Sequence, residues 1–143
     1  MQISELTFYI HCMMMPYLTI APSEKGGRGV FTIKNIPAGT VIEISPVLVL
    51  TSKERKTIEK TKLFDYIFEW GTRRRFGCLA LGYVSLYNHD YSSNCDYEMD
   101  FDNNLMTIKT VKPVKKGNEL CINYNADPNS KDQVWFHKRI KNK

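Results

Sequence analysis

Residues 95–111 read CDYEMDFDNNLMTIKTV, and this stretch decides the fold class. From Cys95 to Phe101 the side chains alternate, with Tyr97, Met99 and Phe101 on one side and Asp96, Glu98 and Asp100 on the other. A period of two belongs to a strand with one buried face. Asp102-Asn103-Asn104 follows, and asparagine tolerates the left-handed backbone that tight hairpin turns require. Leu105 to Val111 then returns as a second strand. The spacing predicts a β-hairpin.

Working outward, the same short β-like texture recurs. Tyr17–Ala21 and Gly29–Ile33 read as strands around the polar turn Ser23-Glu24-Lys25-Gly26-Gly27. Ile36-Pro37-Ala38-Gly39 is a turn with proline early and glycine late. Thr40–Leu50 is rich in Val and Ile, and Pro46 within it suggests an edge or a bend. Pro113–Asn118 reads as a turn and Glu119–Tyr124 as a further strand. One helix is expected, opening at Thr51, because Thr51-x-x-Glu54 is a capping-box pattern. Leu63–Trp70, with Phe64, Tyr66, Phe68 and Trp70 on one alternating set, suits either a strand or a buried irregular segment. The expected class is mainly β, or α+β with little helix.

The chain has 143 residues, 43% of them hydrophobic and 24% charged, which suits one globular domain with a real core and excludes wholesale disorder. Lys and Arg outnumber the acids 20 to 15, a net +5 that favours an acidic or nucleic-acid-associated partner. No apolar run approaches the roughly 20 residues a membrane helix needs. The first charge is Glu5, with no basic segment before it, so no cleaved secretion signal and an intracellular (cytoplasmic or nuclear) location are expected. Cys12, Cys78, Cys95 and Cys121 form no C-x-x-C pair, so reduced, mostly buried thiols and no metal site are expected. The sequence holds no P-loop, G-x-S-x-G or H-E-x-x-H, and Gly27-Arg28-Gly29 lacks the third glycine of a dinucleotide fingerprint. Arg73-Arg74-Arg75 reads as a solvated basic loop or an acidic-partner contact.

Three separated segments carry more when taken together. They are Gly27-Arg28-Gly29-Val30-Phe31, Tyr87-Asn88-His89-Asp90-Tyr91-Ser92-Ser93-Asn94 and Gly117-Asn118-Glu119-Leu120-Cys121-Ile122-Asn123-Tyr124. In order and spacing they resemble the x-G-x-G-[VI]-[FY], N-H-S-C-x-P-N and G-E-E-L-x-x-x-Y motifs of the SET-domain protein-lysine methyltransferases. Asp65-Tyr66-Ile67-Phe68 and Leu79-Ala80-Leu81-Gly82 resemble the segments before the Asn-His motif in minimal viral and bacterial members. Asp90-Tyr91 stands where Ser-Cys is usual, Ser93 where Pro is, and Asn118 where the first Glu is, while Asn88, His89 and Asn94 are kept. The cysteine-rich zinc segment that follows many members is absent, and Trp135-Phe136 stands in its place.

The resemblance implies a SET-type β-fold of several small sheets with a C-terminal pseudoknot. It implies a SET domain over residues 1–126, motif-bearing over about 16–126, and a closing segment and basic tail over 127–143. The implied activity is S-adenosylmethionine-dependent N-methylation of a lysine in a protein or peptide, with a histone or other nucleic-acid-associated protein among the candidates. Tyr124 is the implied catalytic tyrosine and Tyr66 a second channel residue. Gly27, Arg28, Gly29, Asn88, His89 and Trp135 are the implied cofactor contacts. Tyrosines suit such a channel, because the ring walls it and the hydroxyl orients an amine. A homodimer is left open, and direct nucleic-acid binding is not favoured. Two rival readings stand beside this one. The first is a SET-like interaction module that has lost catalysis, which Asp90 near the cofactor would support. The second is a basic β module for nucleic acid using Arg73–Arg75 and the Lys-rich tail.

Overall fold

The computed structural model describes residues 12–132. The strands are β1 (Met13–Met14), β2 (Leu18–Pro22), β3 (Arg28–Thr32), β4 (Val41–Leu50), β5 (Ile67–Trp70), β6 (Phe76–Ala80), β7 (Asn88–His89), β8 (Cys95–Asp100), β9 (Leu105–Thr110) and β10 (Glu119–Ile122). The helix α1 (Ser52–Ile58) and short 3-10 turns over Lys62–Tyr66 and Val84–Leu86 complete the described elements. The chain is mainly β, as expected.

The predicted hairpin is β8–β9, paired antiparallel from Asp100↔Leu105 to Cys95↔Thr110. Its turn places Asn104 at φ 53, and Asp100 Oδ1 accepts from the backbone N–H groups of Asp102 and Asn103. Cys95 and Tyr97 are buried while Glu98 is exposed, so the alternation holds at the start of β8, whereas Phe101, just past the strand, is exposed.

β4 organises the larger sheet, whose order is β5-β6-β4-β9-β8 with β1 also paired to β4. Of the edge or bend suggested for Pro46, the edge is overturned, because β4 lies between β6 and β9. Pro46 is the last β4 residue opposite β9, and Val47 is the first opposite β6. The missing N–H thus falls at a change of partner, where the ladder tolerates its loss. α1 opens on Thr51 with both halves of the capping box formed, yet it buries no side chain.

Leu63–Trp70 resolves into the 3-10 turn Lys62–Tyr66 followed by β5. The aromatic set is therefore divided. Phe68 packs on Tyr97 at 5.5 Å and Trp70 meets Phe101 edge-on at 4.9 Å, while Tyr66 stays 43% exposed.

The second sheet has the order β2-β3-β10-β7. β10 runs antiparallel to β3 and parallel to β7, with Cys121 opposite Asn88 and Ile122 opposite His89. The last strand is thus inserted between two earlier ones, in keeping with the crossed C-terminal arrangement of a SET fold. Asn94 reinforces the insertion. Its Nδ2 donates to the Glu119 carbonyl at 2.8 Å and its Oδ1 accepts from the Cys121 N–H at 2.9 Å, so one side chain serves β10 as a short strand edge.

Val30, Ile42, Met106, Ile108, Leu120 and Ile122 are fully buried where the two sheets meet. Each contributes roughly 1.5–3 kcal/mol by leaving water. Cys78, Cys95 and Cys121 are buried free thiols, while Cys12 is exposed. Burial pushes the Cys78 and Cys121 thiols up to about 12, which makes them inert packing groups at neutral pH.

Candidate active site

Tyr124 lies just past β10, where three earlier residues hold it. Its hydroxyl donates to the Tyr87 carbonyl at 2.9 Å, its backbone N–H donates to His89 Nδ1 at 3.1 Å, and its carbonyl accepts from Tyr97 Oη at 3.5 Å. The Tyr87 contact draws the phenol back against the main chain immediately before Asn88-His89. Because His89 Nδ1 accepts, the neutral ring carries its proton on Nε2. Tyr91 meets that ring edge-on at 4.3 Å. Burial pushes the Tyr124 hydroxyl well above its ordinary range, so it remains a neutral donor.

Tyr124 faces a cavity of about 870 Å³. Tyr66, Phe64, Phe68, Tyr97, Met99 and Phe101 also line it, so both candidate channel tyrosines share one aromatic-walled space. Its rim is charged. Arg55 pairs with Glu59 at 2.7 Å and Glu69 at 3.2 Å, and Arg74 lies 3.8 Å from Glu69. Asp65 also lines the cavity and makes no ion pair among the described residues. Asn123 Nδ2 donates to the Ser130 carbonyl at 2.6 Å and Asn125 Nδ2 to the Asp132 carbonyl at 2.7 Å, drawing the segment after Tyr124 back toward the cavity.

A second cluster forms across β3, β10 and β7. Asn88 Nδ2 donates to the Arg28 carbonyl at 3.1 Å and to Glu119 Oε1 at 2.7 Å. Ser23 Oγ donates to Glu119 Oε2 at 2.9 Å. The glycines serve different needs here. Gly27 has φ 57, a left-handed conformation, with open space where a Cβ would stand. At Gly29 a Cβ would lie 2.0 Å from Glu119 Oε1 and 3.0 Å from Asn88 Nδ2, so its bare backbone makes room for the carboxylate. None of Gly27, Arg28, Gly29, Asn88 or His89 lines the aromatic cavity. The two clusters adjoin at Tyr87-Asn88, where one residue's carbonyl takes the Tyr124 hydroxyl and the next residue's amide joins the second cluster.

Asp90 is ion-paired with Lys25, and its Oδ1 also accepts from the Ser92 N–H at 2.8 Å. Burial alone would raise its carboxyl, but Lys25 and the Ser92 N–H hold it below the ordinary value. Lys25 and Asp90 thus satisfy one another, and the Asn88 carboxamide, its NH2 engaged by Arg28 and Glu119, contributes a neutral oxygen. That oxygen, an acceptor, fits the ammonium of the amino-acid end of S-adenosylmethionine. Trp135, the remaining expected cofactor contact, lies outside the described residues.

Sequence reasoning missed the group that anchors Tyr87. Glu43, fully buried on β4, accepts at Oε1 from Ser45 Oγ and the Tyr83 N–H, both at 2.7 Å, and at Oε2 from Tyr87 Oη at 3.1 Å. Burial raises its carboxyl pKa, and these donors partly oppose the rise. Its one signal is that of a charge inside the otherwise uncharged Val41–Leu50.

The family model for the SET domain matches residues 27–125. A relative from Schizosaccharomyces pombe, a histone-lysine N-methyltransferase specific for H3 lysine-37, is 38% identical over 120 residues, covering 83% of this chain and 76% of its own. A crystal structure of a candidate histone methyltransferase from Plasmodium falciparum superposes with a TM-score of 0.61 at 27% identity, covering 86% of this chain and 99% of its own.

Proposed function

The chain belongs to the SET-domain family, and on that premise we propose that Tyr124 and Tyr66 line its lysine channel while Gly27, Arg28, Gly29, Asn88, His89 and Trp135 hold its cofactor. The protein is an S-adenosylmethionine-dependent protein-lysine N-methyltransferase. The observation that carries the residue assignment is the bond from the Tyr124 hydroxyl to the Tyr87 carbonyl, since it joins the aromatic cavity to the Asn88 cluster through adjacent residues.

S-adenosylmethionine supplies a methyl group on a positively charged sulfur, ready for in-line displacement by an amine. The chain's task is to present that amine neutral, dry and aligned. A free lysine near pKa 10.4 is protonated at neutral pH, so an apolar channel must disfavour its charge. Tyr66, Phe64, Phe68 and Tyr97 would supply that desolvation and confine the side chain. Tyr124, kept neutral by burial and tethered by its hydroxyl, would orient the nitrogen lone pair at the channel's end. On the other side, Asn88 Oδ1 would take the ammonium of the cofactor's amino-acid end.

For the substrate we propose a basic histone tail. The yeast relative acts on histone H3, and Asp65 at the cavity rim has no competing ion pair among the described residues. A nuclear site of action goes with that substrate. We also take residues 1–126 as the SET domain and 127–143 as its closing segment, a division supported by the bonds that return Ser130 and Asp132 to Asn123 and Asn125. Among the described residues no helix is long and apolar enough to cross a membrane. The inactive-module reading loses its main support, because the Asp90 charge is matched by Lys25.

Mass spectrometry of histone H3 after incubation with the full chain and isotope-labelled cofactor tests the assignment. Methyl label on a lysine, abolished in Tyr124→Phe, is the expected result. Equal labelling by wild type and variant would remove Tyr124 from the reaction.

A further inference from the structure

Glu119 is a charged residue with no part so far in the chemistry. Its carboxylate lies against the Gly29 backbone, with one oxygen 2.9 Å from Ser23 Oγ and the other 2.7 Å from Asn88 Nδ2. The register explains the meeting. Cys121 stands opposite Asn88 across the β10–β7 pair, and Glu119, two residues earlier on β10, shares the face of Cys121.

A carboxylate and a backbone carbonyl can only accept hydrogen bonds, so the end of the Asn88 carboxamide between Glu119 and the Arg28 carbonyl must be its NH2. Both N–H bonds of that group are then engaged inside the protein. What the side chain offers a ligand is its oxygen. Without the carboxylate the carboxamide could rotate by half a turn and present a donor instead, because the two orientations have nearly the same shape.

We propose that Glu119 is a positioning residue that fixes the Asn88 carboxamide oxygen-outward, so that the enzyme selects methyl donors bearing a protonated α-amino group. The inference rests on the reading of Asn88 as a cofactor contact. Ser23, by engaging the second carboxylate oxygen, stops Glu119 from swinging away, and Gly29 is the residue type that leaves the carboxylate room. The ligand chemistry recognised is an ammonium, whose hydrogen bond to a neutral oxygen is charge-assisted.

Calorimetry with the full chain separates the possibilities, using S-adenosylhomocysteine, its analogue lacking the α-amino group, and 5′-methylthioadenosine. Wild type should prefer S-adenosylhomocysteine over the desamino analogue by roughly tenfold to a hundredfold, the range of a charged hydrogen bond. Glu119→Leu should bring that ratio to within about threefold of unity, while 5′-methylthioadenosine, which has no amino-acid end, binds as before. Glu119→Gln, whose carbonyl can still accept from Asn88, should restore most of the preference. A ratio unchanged in Glu119→Leu, or equal losses for all three ligands, would overturn the positioning role. No preference in wild type would overturn the Asn88 reading itself, and the proposal with it. Should Glu119→Leu not fold, the wild-type protein still decides. The Asn88 side-chain NH2 signals, identified by their loss in Asn88→Asp, must be protected from solvent exchange before and after S-adenosylhomocysteine is added, and rapid exchange in both states refutes the fixed orientation.

Discussion

Replacing Glu43 by alanine removes the common acceptor of Ser45 Oγ, the Tyr83 N–H and Tyr87 Oη, all within 3.1 Å of the carboxylate. Ser45 and Tyr87 are buried, and the site is too enclosed for the hydroxyls to recover full solvation. Each orphaned group costs about 1–3 kcal/mol. Taking the low end for all three gives a loss of about 3 kcal/mol, before any term for the space left by the side chain. Against a typical domain stability of about 5–15 kcal/mol this is a large fraction. With a urea slope of about 1–3 kcal/mol/M, the unfolding midpoint should fall by roughly 1–3 M. Urea unfolding followed by tryptophan fluorescence reads this directly, because buried Trp70 reports on the same sheet as β4. Methyl transfer should fall as well, since Tyr87 carries the carbonyl that tethers Tyr124. A midpoint shift under about 0.5 M with an unchanged slope would show that the three donors find other partners and that Glu43 anchors nothing.

Glu43→Gln, measured against pH, isolates the carboxyl's titration. Its folded pKa is raised above the ordinary 4.5, chiefly by burial. The stability this gives wild type is therefore full below about 4.5 and is lost as pH rises through the folded value. The stability of wild type relative to Glu43→Gln should be greatest in acid and decline upward; a difference that is flat or grows with pH contradicts the assignment. Gly82→Ala should unfold at markedly lower urea, because φ 65 disfavours alanine and its Cβ would stand 2.3 Å from Glu43 Oε1; a stability within about 0.5 kcal/mol of wild type would mean the carboxylate moves freely. Tyr124→Phe should keep S-adenosylhomocysteine affinity within about twofold while the transfer rate drops by about two orders of magnitude or more, and single-turnover kinetics with a histone peptide would detect the opposite split. Asn88→Ala should weaken S-adenosylhomocysteine binding by roughly tenfold or more in calorimetry, and equal affinities would remove Asn88 from the cofactor site.

What could be read from the sequence was local. The β8–β9 hairpin and the α1 capping box were legible because alternation, turn residues and cap residues lie within a few positions of one another. At Pro46 the edge alternative failed for the same reason. The residue's neighbours do not reveal that β4 changes partners there. The two-residue β7 has no periodicity to detect and exists only because β10 runs beside it, so the Asn88-His89 strand came from the family motif alone. The site shows the same division. Asn88, His89 and Tyr124 were singled out through motifs as site candidates, and the structure places them next to one another around Tyr87. Glu43 and the Ser23–Glu119 bond join residues with no sequence proximity, and only the fold makes them neighbours. Asn94 was visible as a kept motif residue, but its work as a surrogate strand edge for β10 was not.

The insertion of β10 also bears on timing. Synthesis runs from the N-terminus, and β10 with the residue after it brings both Glu119 and Tyr124 to partners laid down much earlier, at Ser23, Asn88 and Tyr87. Such long-range closure is slow compared with hairpin formation. A growing chain that has already made β3 and β7 therefore holds neither a settled Asn88 amide nor a tethered phenol. On the proposed site, methyl-transfer competence cannot precede the docking of β10.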